Sequence, residues 1–158
     1  MSAVCGIDLS SRQIDLARLD ETSNHADHTV INLEQAGKQA TAWDRTLLVR
    51  ALMPPSSWWD EVYLVALEAP YGLGTGTVAI LNRIVGAIAA SLPEPLQRPE
   101  RCWLVRPDEW KGWMGVRGKP SGDDLARLGL IAPQTQDGRD ALCIAYYARE
   151  VNARASAA

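Results

Sequence analysis

The chain has 158 residues, enough for one domain with one core. Its 47% apolar and 22% charged content is that of a globular protein and excludes a disordered chain. The net charge of −3 excludes a uniformly basic polyanion binder.

That charge is unevenly spread. Residues 1–75 carry 5 basic and 10 acidic side chains, whereas residues 76–158 carry 11 basic and 9 acidic. A polyanion would therefore meet the second half, especially between Arg98 and Arg127. Cys5, Cys102 and Cys143 are far apart, odd in number and set in apolar segments. They read as reduced core thiols of a cytoplasmic protein, with no disulfide framework and no CxxC metal knuckle. No signal peptide is expected, and the apolar stretch Thr77 to Leu92 is broken by Asn82 and Arg83, which excludes a membrane span.

Val4 to Asp8 is a short, nearly all-apolar run that predicts a central strand buried on both faces. Ser10-Ser11 turns the chain. Ile14 to Leu19 and Thr29 to Leu33 predict two further strands, with a polar turn over Asp20 to His28. Short connections make these three an antiparallel meander. Glu34 to Leu52 has Trp43, Leu47 and Ala51 at four-residue spacing, beside Leu48 and Leu52, and predicts an amphipathic helix. Pro54-Pro55 stops it.

Val62 to Glu68 predicts the next buried strand, parallel to the first because a helix precedes it. Gly72, Gly74 and Gly76 make a loose connection. Val78, Leu81, Val85, Ile88 and Leu92 step as a helix. Its small residues Gly86, Ala87, Ala89 and Ala90 suit tight packing on the sheet or a dimer contact. Cys102 to Val105 predicts a fifth strand and Pro107 to Trp113 a helical turn with proline at its first position. A basic, glycine-rich loop covers Gly115 to Gly122. Asp123 to Leu128 and Gln136 to Asn152 complete the helices, and the alanine-rich tail 153–158 is expected to fray. The order describes one domain over 1–158, an α/β fold with a mixed five-stranded sheet flanked by helices.

Four acids stand out in this order. Asp8 and Glu68 close the apolar runs of two parallel strands, where open α/β sheets gather function. Asp137 and Asp140 are three apart at a helix start, so both face one point. An acid ending a buried strand is costly unless its charge is compensated, and oxygen-only ligand sets suit magnesium or manganese. Three of the acids also have an ordinary reading, Asp8 as a turn cap and Asp137 and Asp140 as complements to a helix N-terminus, whereas Glu68, ending six apolar residues, has no capping role. His25-x-x-His28 has no neighbouring Cys or further His for zinc. Gly72-x-Gly74-x-Gly76 lacks the spacing of a dinucleotide fingerprint. Trp58, Trp59, Trp103, Trp110 and Trp113 suit core or dimer packing, with Trp113 and Met114 beside the basic loop as the exceptions.

Gly6-Ile7-Asp8-Leu9-Ser10, the Leu67-Glu68 strand end and Asp137-Gly138-Arg139-Asp140-Ala141-Leu142 resemble the motifs of RuvC-type Holliday junction resolvases, members of the ribonuclease-H-like superfamily. The resemblance extends from Val4 to about Val151. It implies a ribonuclease-H-like fold and a homodimeric, magnesium-dependent endonuclease that cuts four-way DNA junctions by paired symmetric nicks. By that resemblance Asp8, Glu68, Asp137 and Asp140 hold two Mg2+ ions, with Mn2+ as a substitute. Two cations roughly 3.5–4 Å apart activate water on one side of a phosphodiester and stabilise the leaving oxygen on the other. Tyr71 takes the place of an aromatic that inserts at the junction centre. Lys111, Arg117 and Lys119 match the basic segment that meets scissile-strand phosphates, with Lys111 and Lys119 as candidate catalytic cations, and Trp113 borders that DNA surface. No organic cofactor and no membrane are implied, and the location is cytoplasmic, or the host cytoplasm for a viral protein. The alternatives are a ribonuclease-H-like nuclease acting on RNA–DNA hybrid or other branched DNA, and a catalytically inactive nucleic-acid-binding module. A nucleotide-binding domain of the sugar-kinase and actin type needs a second such domain, for which the chain is too short.

Overall fold

The computed structural model describes residues 2–71 and 74–158. Five strands form one sheet in the order β3-β2-β1-β4-β5. β1 (Ala3–Leu9), β2 (Gln13–Asp20) and β3 (Ala26–Asn32) are the antiparallel meander, while β4 (Val62–Glu68) and β5 (Cys102–Val105) run parallel to β1. The expected mixed five-stranded sheet is present, and β1 is central because both its neighbours are hydrogen-bonded to it.

Helices cover both faces. α1 (Ala42–Leu52) and α2 (Thr75–Ser91) bury Val49, Leu81, Ile84 and Ile88 against Cys5, Ile7, Leu16 and Leu67. α3 (Pro107–Met114), α4 (Gly122–Arg127) and α5 (Gln136–Ala157) bury Trp110, Leu125, Ala141 and Ile144 against Val4, Ala17, Leu64 and Ala66. The two sets alternate along each strand, so Val4, Gly6 and Asp8 share the α5 face.

Gly6 sets how closely α5 approaches. A Cβ at this position would lie 2.1 Å from the Ala141 carbonyl oxygen and 2.4 Å from the Ala145 nitrogen. Backbone therefore sits almost directly on backbone, and only glycine leaves the room. This contact brings the start of α5 over the end of β1.

Several boundaries differ from the sequence reading. β3 begins at Ala26 rather than Thr29, because the ladder with β2 continues to Leu19↔Ala26. Its polar residues are tolerated because β3 is an edge strand with one open face. The single helix expected over Glu34 to Leu52 is a 3-10 turn over Leu33–Ala36 followed by α1. Gly37 ends the first piece at φ 91°, and Thr41 and Asp44 cap the second reciprocally, so two local signals override the apolar spacing. Trp43 and Leu47 are 65% and 45% exposed, so the apolar stripe of α1 faces outward while Val49 is buried. α5 runs through Ala157, beyond the Asn152 at which the sequence reading ended it. Cys5 and Cys143 are buried as expected, Cys102 is half-buried, and all three are free thiols. Gly72 of the loose connection lies outside the described residues. Among the described residues no helix is long and apolar enough to cross a membrane.

Candidate active site

Ile7 pairs with Leu67 across β1 and β4. The next residue of each strand, Asp8 and Glu68, therefore reaches the carboxyl edge of the sheet side by side. Thr135 caps α5 by accepting from the Gly138 N–H at 3.1 Å, which starts the helix just before Asp137 and Asp140. All four acids are half-buried.

Their mutual electrostatics show the convergence. The Asp8 carboxyl is pushed up to about 8, first by burial and then by the charges of Glu68, Asp140, Asp137 and Asp15. Glu68 is raised by burial, which the Trp110 indole and the Lys111 ammonium oppose. Asp140 is raised by burial, against the pull of Gln136, Lys111 and Lys119. The structure thus brings the four sequence-selected acids into one field.

Neutral donors hold these carboxylates. Trp110 Nε1 donates to Glu68 Oε2 at 2.8 Å, and Gln136 Nε2 donates to Asp140 Oδ1 at 2.9 Å. Gln13 Nε2 donates to Asp137 Oδ2 at 3.1 Å and to Asp15 Oδ2 at 2.7 Å. Among the described residues no three His, Cys, Asp or Glu side chains close into a preformed metal-holding group. The donor set nonetheless fits a hard dication in its chemistry. It is carboxylate oxygen throughout, and burial together with the charges of the neighbouring acids raises the proton affinity of Asp8.

The basic residues separate by position. Lys111 acts on both Glu68 and Asp140, with its ammonium 5.0 Å from the centre of the Trp110 ring. Lys119 acts on Asp140 from an exposed position, and Arg117 is exposed on the same loop. Tyr71 is 55% exposed beyond the end of β4, and the Arg106 guanidinium lies 4.6 Å from its ring centre. Arg106 is in turn paired with Asp108. Trp113 packs α3 on α5, with its ring 5.6 Å from Tyr147, 6.3 Å from Tyr146 and 5.0 Å from the Arg154 guanidinium.

Five participants escaped the sequence reading: Gln13, Asp15, His28, Trp110 and Gln136. Asp15 carried a signal, because an acid between Ile14 and Leu16 in an apolar strand is as costly as Glu68. It is fully buried and sits directly across from Asp8 in the β1–β2 ladder. Gln136 carried another, four residues before Asp140 on one helix. His28, read as part of a turn, lies in β3 with Nε2 2.9 Å from Asp15 Oδ1.

No protein-family model and no curated protein sequence matches the chain. Solved structures do. Thermus thermophilus RuvC in complex with a Holliday junction substrate superposes with a TM-score of 0.72 at 18% identity, covering 97% of this chain and 96% of that one. A second Thermus thermophilus RuvC structure gives 0.71 at 20% identity, covering 96% of each chain. The yeast mitochondrial Holliday junction resolvase gives 0.52 at 12% identity, over 98% of this chain and 84% of that one. The two RuvC structures and this chain cover one another almost completely, and the chain, with its mixed five-stranded sheet, has the ribonuclease-H-like fold of the RuvC Holliday junction resolvases.

Proposed function

We propose that this chain is a divalent-metal-dependent, structure-selective endonuclease that resolves four-way DNA junctions. The observation that carries the reading is the gathering of Asp8, Glu68, Asp137 and Asp140 into one electrostatic field, at the carboxyl ends of two parallel strands and the start of α5. The likeness to RuvC over almost the whole chain supports it.

Asp8, Glu68, Asp137 and Asp140 would hold two Mg2+ ions, which supply Lewis-acid activation of water and charge stabilisation at the leaving oxygen. The chain's own residues do the rest. Trp110 and Gln136 orient Glu68 and Asp140 without neutralising them. Lys111 stands beside both acids, where its ammonium meets a phosphate drawn to the site and stabilises charge developing on it. Arg117 and Lys119 extend this positive surface along the loop after α3 and position the backbone without reading sequence.

Tyr71 supplies an exposed ring at the same edge. Stacking on an unpaired base at the junction centre contributes about 1–3 kcal/mol. The substrate has two-fold symmetry and resolution needs two opposed nicks, so the active form is a homodimer. The outward stripe of Trp43 and Leu47 on α1 is an apolar surface suited to that contact.

The test is a gel assay with a synthetic four-way junction, Mg2+ and the Asp8→Asn control. The expected products are paired nicks bearing 5′-phosphates and 3′-hydroxyls, absent with the variant. Preferential cutting of an RNA–DNA hybrid, or equal cutting by Asp8→Asn, overturns the proposal.

A further inference from the structure

We infer that Gln13 and Asp15 are a positioning pair for Asp137, setting its carboxylate for a cation; this rests on the reading of the four acids as a metal site. A glutamine amide nitrogen carries two hydrogens. At Gln13 one contact goes to Asp15 Oδ2 at 2.7 Å and the other to Asp137 Oδ2 at 3.1 Å. One nitrogen therefore bridges two carboxylates from different elements, β2 and α5.

Asp15 is held from two sides, by Gln13 and by His28, which gives the bridge its direction. Asp15 is fully buried, so no water can replace its partners. Its second oxygen is 2.9 Å from His28 Nε2 on β3. His28 is itself wedged against the first turn of α5. A Cβ at residue 138 would lie 2.8 Å from His28 Nε2 and 2.7 Å from Thr135 Oγ1. Gly138, between Asp137 and Arg139, thus leaves room for the ring. His28, Asp15, Gln13 and Asp137 form a continuous series that crosses the sheet edge and ends on a proposed ligand.

The alternation of β2 puts Gln13 and Asp15 on one face, and Asp15 faces Asp8 across the ladder. A carboxylate held this way pays less ordering entropy when a cation takes it up. Outer partners that orient metal ligands typically change metal affinity or activity by about 10–100-fold when lost.

The test is Mn2+ binding to the DNA-free protein, by calorimetry and by the loss of the free-ion magnetic resonance signal. Wild type, Gln13→Leu, Asp137→Ala and the double variant are compared, each with its melting curve. Gln13 is half-buried, so leucine is accommodated. Gln13→Leu is expected to weaken Mn2+ binding about ten-fold. In the Asp137→Ala background it is expected to change nothing further, because its effect passes through that carboxylate. Asp15→Asn, which keeps the shape, is expected to weaken binding in the same direction. Wild-type affinity in Gln13→Leu, or the same loss with and without Asp137, overturns the inference while leaving the metal site intact. Absence of Mn2+ binding by wild type at millimolar concentration overturns the site itself.

Discussion

Replacing Asp8 with asparagine should make the metal-free protein more stable, and increasingly so as pH rises. The Asp8 carboxyl moves from 3.8, the value of an unfolded aspartate, to about 8 in the fold, through burial first and then through Glu68, Asp140, Asp137 and Asp15. Between those pH values the unfolded chain has lost this proton and the fold has kept it. Folding therefore takes up a proton, and stability falls as pH rises from about 4 to 8. At about 1.4 kcal/mol per pH unit the full penalty is on the order of 5 kcal/mol. Asp8 keeps one side open to solvent, and screening there leaves about 2–4 kcal/mol. Asparagine has nearly the same shape and no charge to bury. In EDTA the variant's melting temperature should match wild type near pH 4 and exceed it by roughly 5–15 °C at pH 8. Millimolar Mg2+ should close much of that gap by stabilising wild type alone, since a ligand bound 100-fold above its dissociation constant adds about 2.7 kcal/mol. Scanning calorimetry at four pH values, with and without Mg2+, measures this directly. A gap that does not grow with pH would refute the claim that these acids crowd one another.

Gly6→Ala should cost on the order of 3 kcal/mol in urea unfolding, because the new methyl meets the Ala141 and Ala145 backbone and not a flexible side chain; a change under 1 kcal/mol would mean that α5 does not rest on β1 as described. Trp110→Phe keeps the buried ring but removes the donor to Glu68. It should lower stability by roughly 1.5–3 kcal/mol and slow cleavage, with calorimetry and single-turnover rates as readouts. Lys111→Ala should slow single-turnover cleavage more than Lys119→Ala, because Lys111 acts on two of the acids and Lys119 on one; the reverse order would move the catalytic cation to the loop. Tyr71→Ala should impair cutting of an intact junction more than of a pre-nicked, flexible one, and equal losses on both would argue against insertion.

The parts of this fold readable from the chain were those governed by one dominant local pattern. β1 and β4 are near-continuous apolar runs with an acid at or next to their last residue, and few other arrangements suit such runs. The start of α5 was readable because the spaced acids Asp137 and Asp140 mark a helix N-terminus, which Thr135 caps in the structure. α1 was misjudged because Trp43, Leu47 and Ala51 have the spacing of a buried face, although Gly37 and the Thr41–Asp44 box move the start and Val49 is the residue that packs. Periodicity reports an apolar face but not whether that face meets the core or solvent. The acids of the site were readable because each sits at an element end. Their supports were not, because the Trp110–Glu68 and Gln13–Asp137 contacts join residues 42 and 124 positions apart. Nothing local at Gln13 or Trp110 marks them as partners of an acid.

The choice of those supports explains how one site can be both held in shape and available to a cation. Four acids in one field call for compensation, and an arginine against each would supply it most strongly. Such pairs would also cost the site its purpose. Breaking a buried ion pair costs about 3–5 kcal/mol, which an incoming dication would have to overcome at each ligand. The structure instead offers an indole N–H to Glu68 and amide N–H groups to Asp140 and Asp137. A neutral donor to a charged acceptor contributes roughly 1.5–3 kcal/mol and leaves the negative charge in place. The helix N-terminus adds positive potential at Asp137 without a mobile counter-ion. Lys111, which acts on two of the acids, sits over the Trp110 ring. Burial and the surrounding acids leave Asp8 holding its proton up to about pH 8, and a dication that displaces this proton would relieve the crowding where it is greatest.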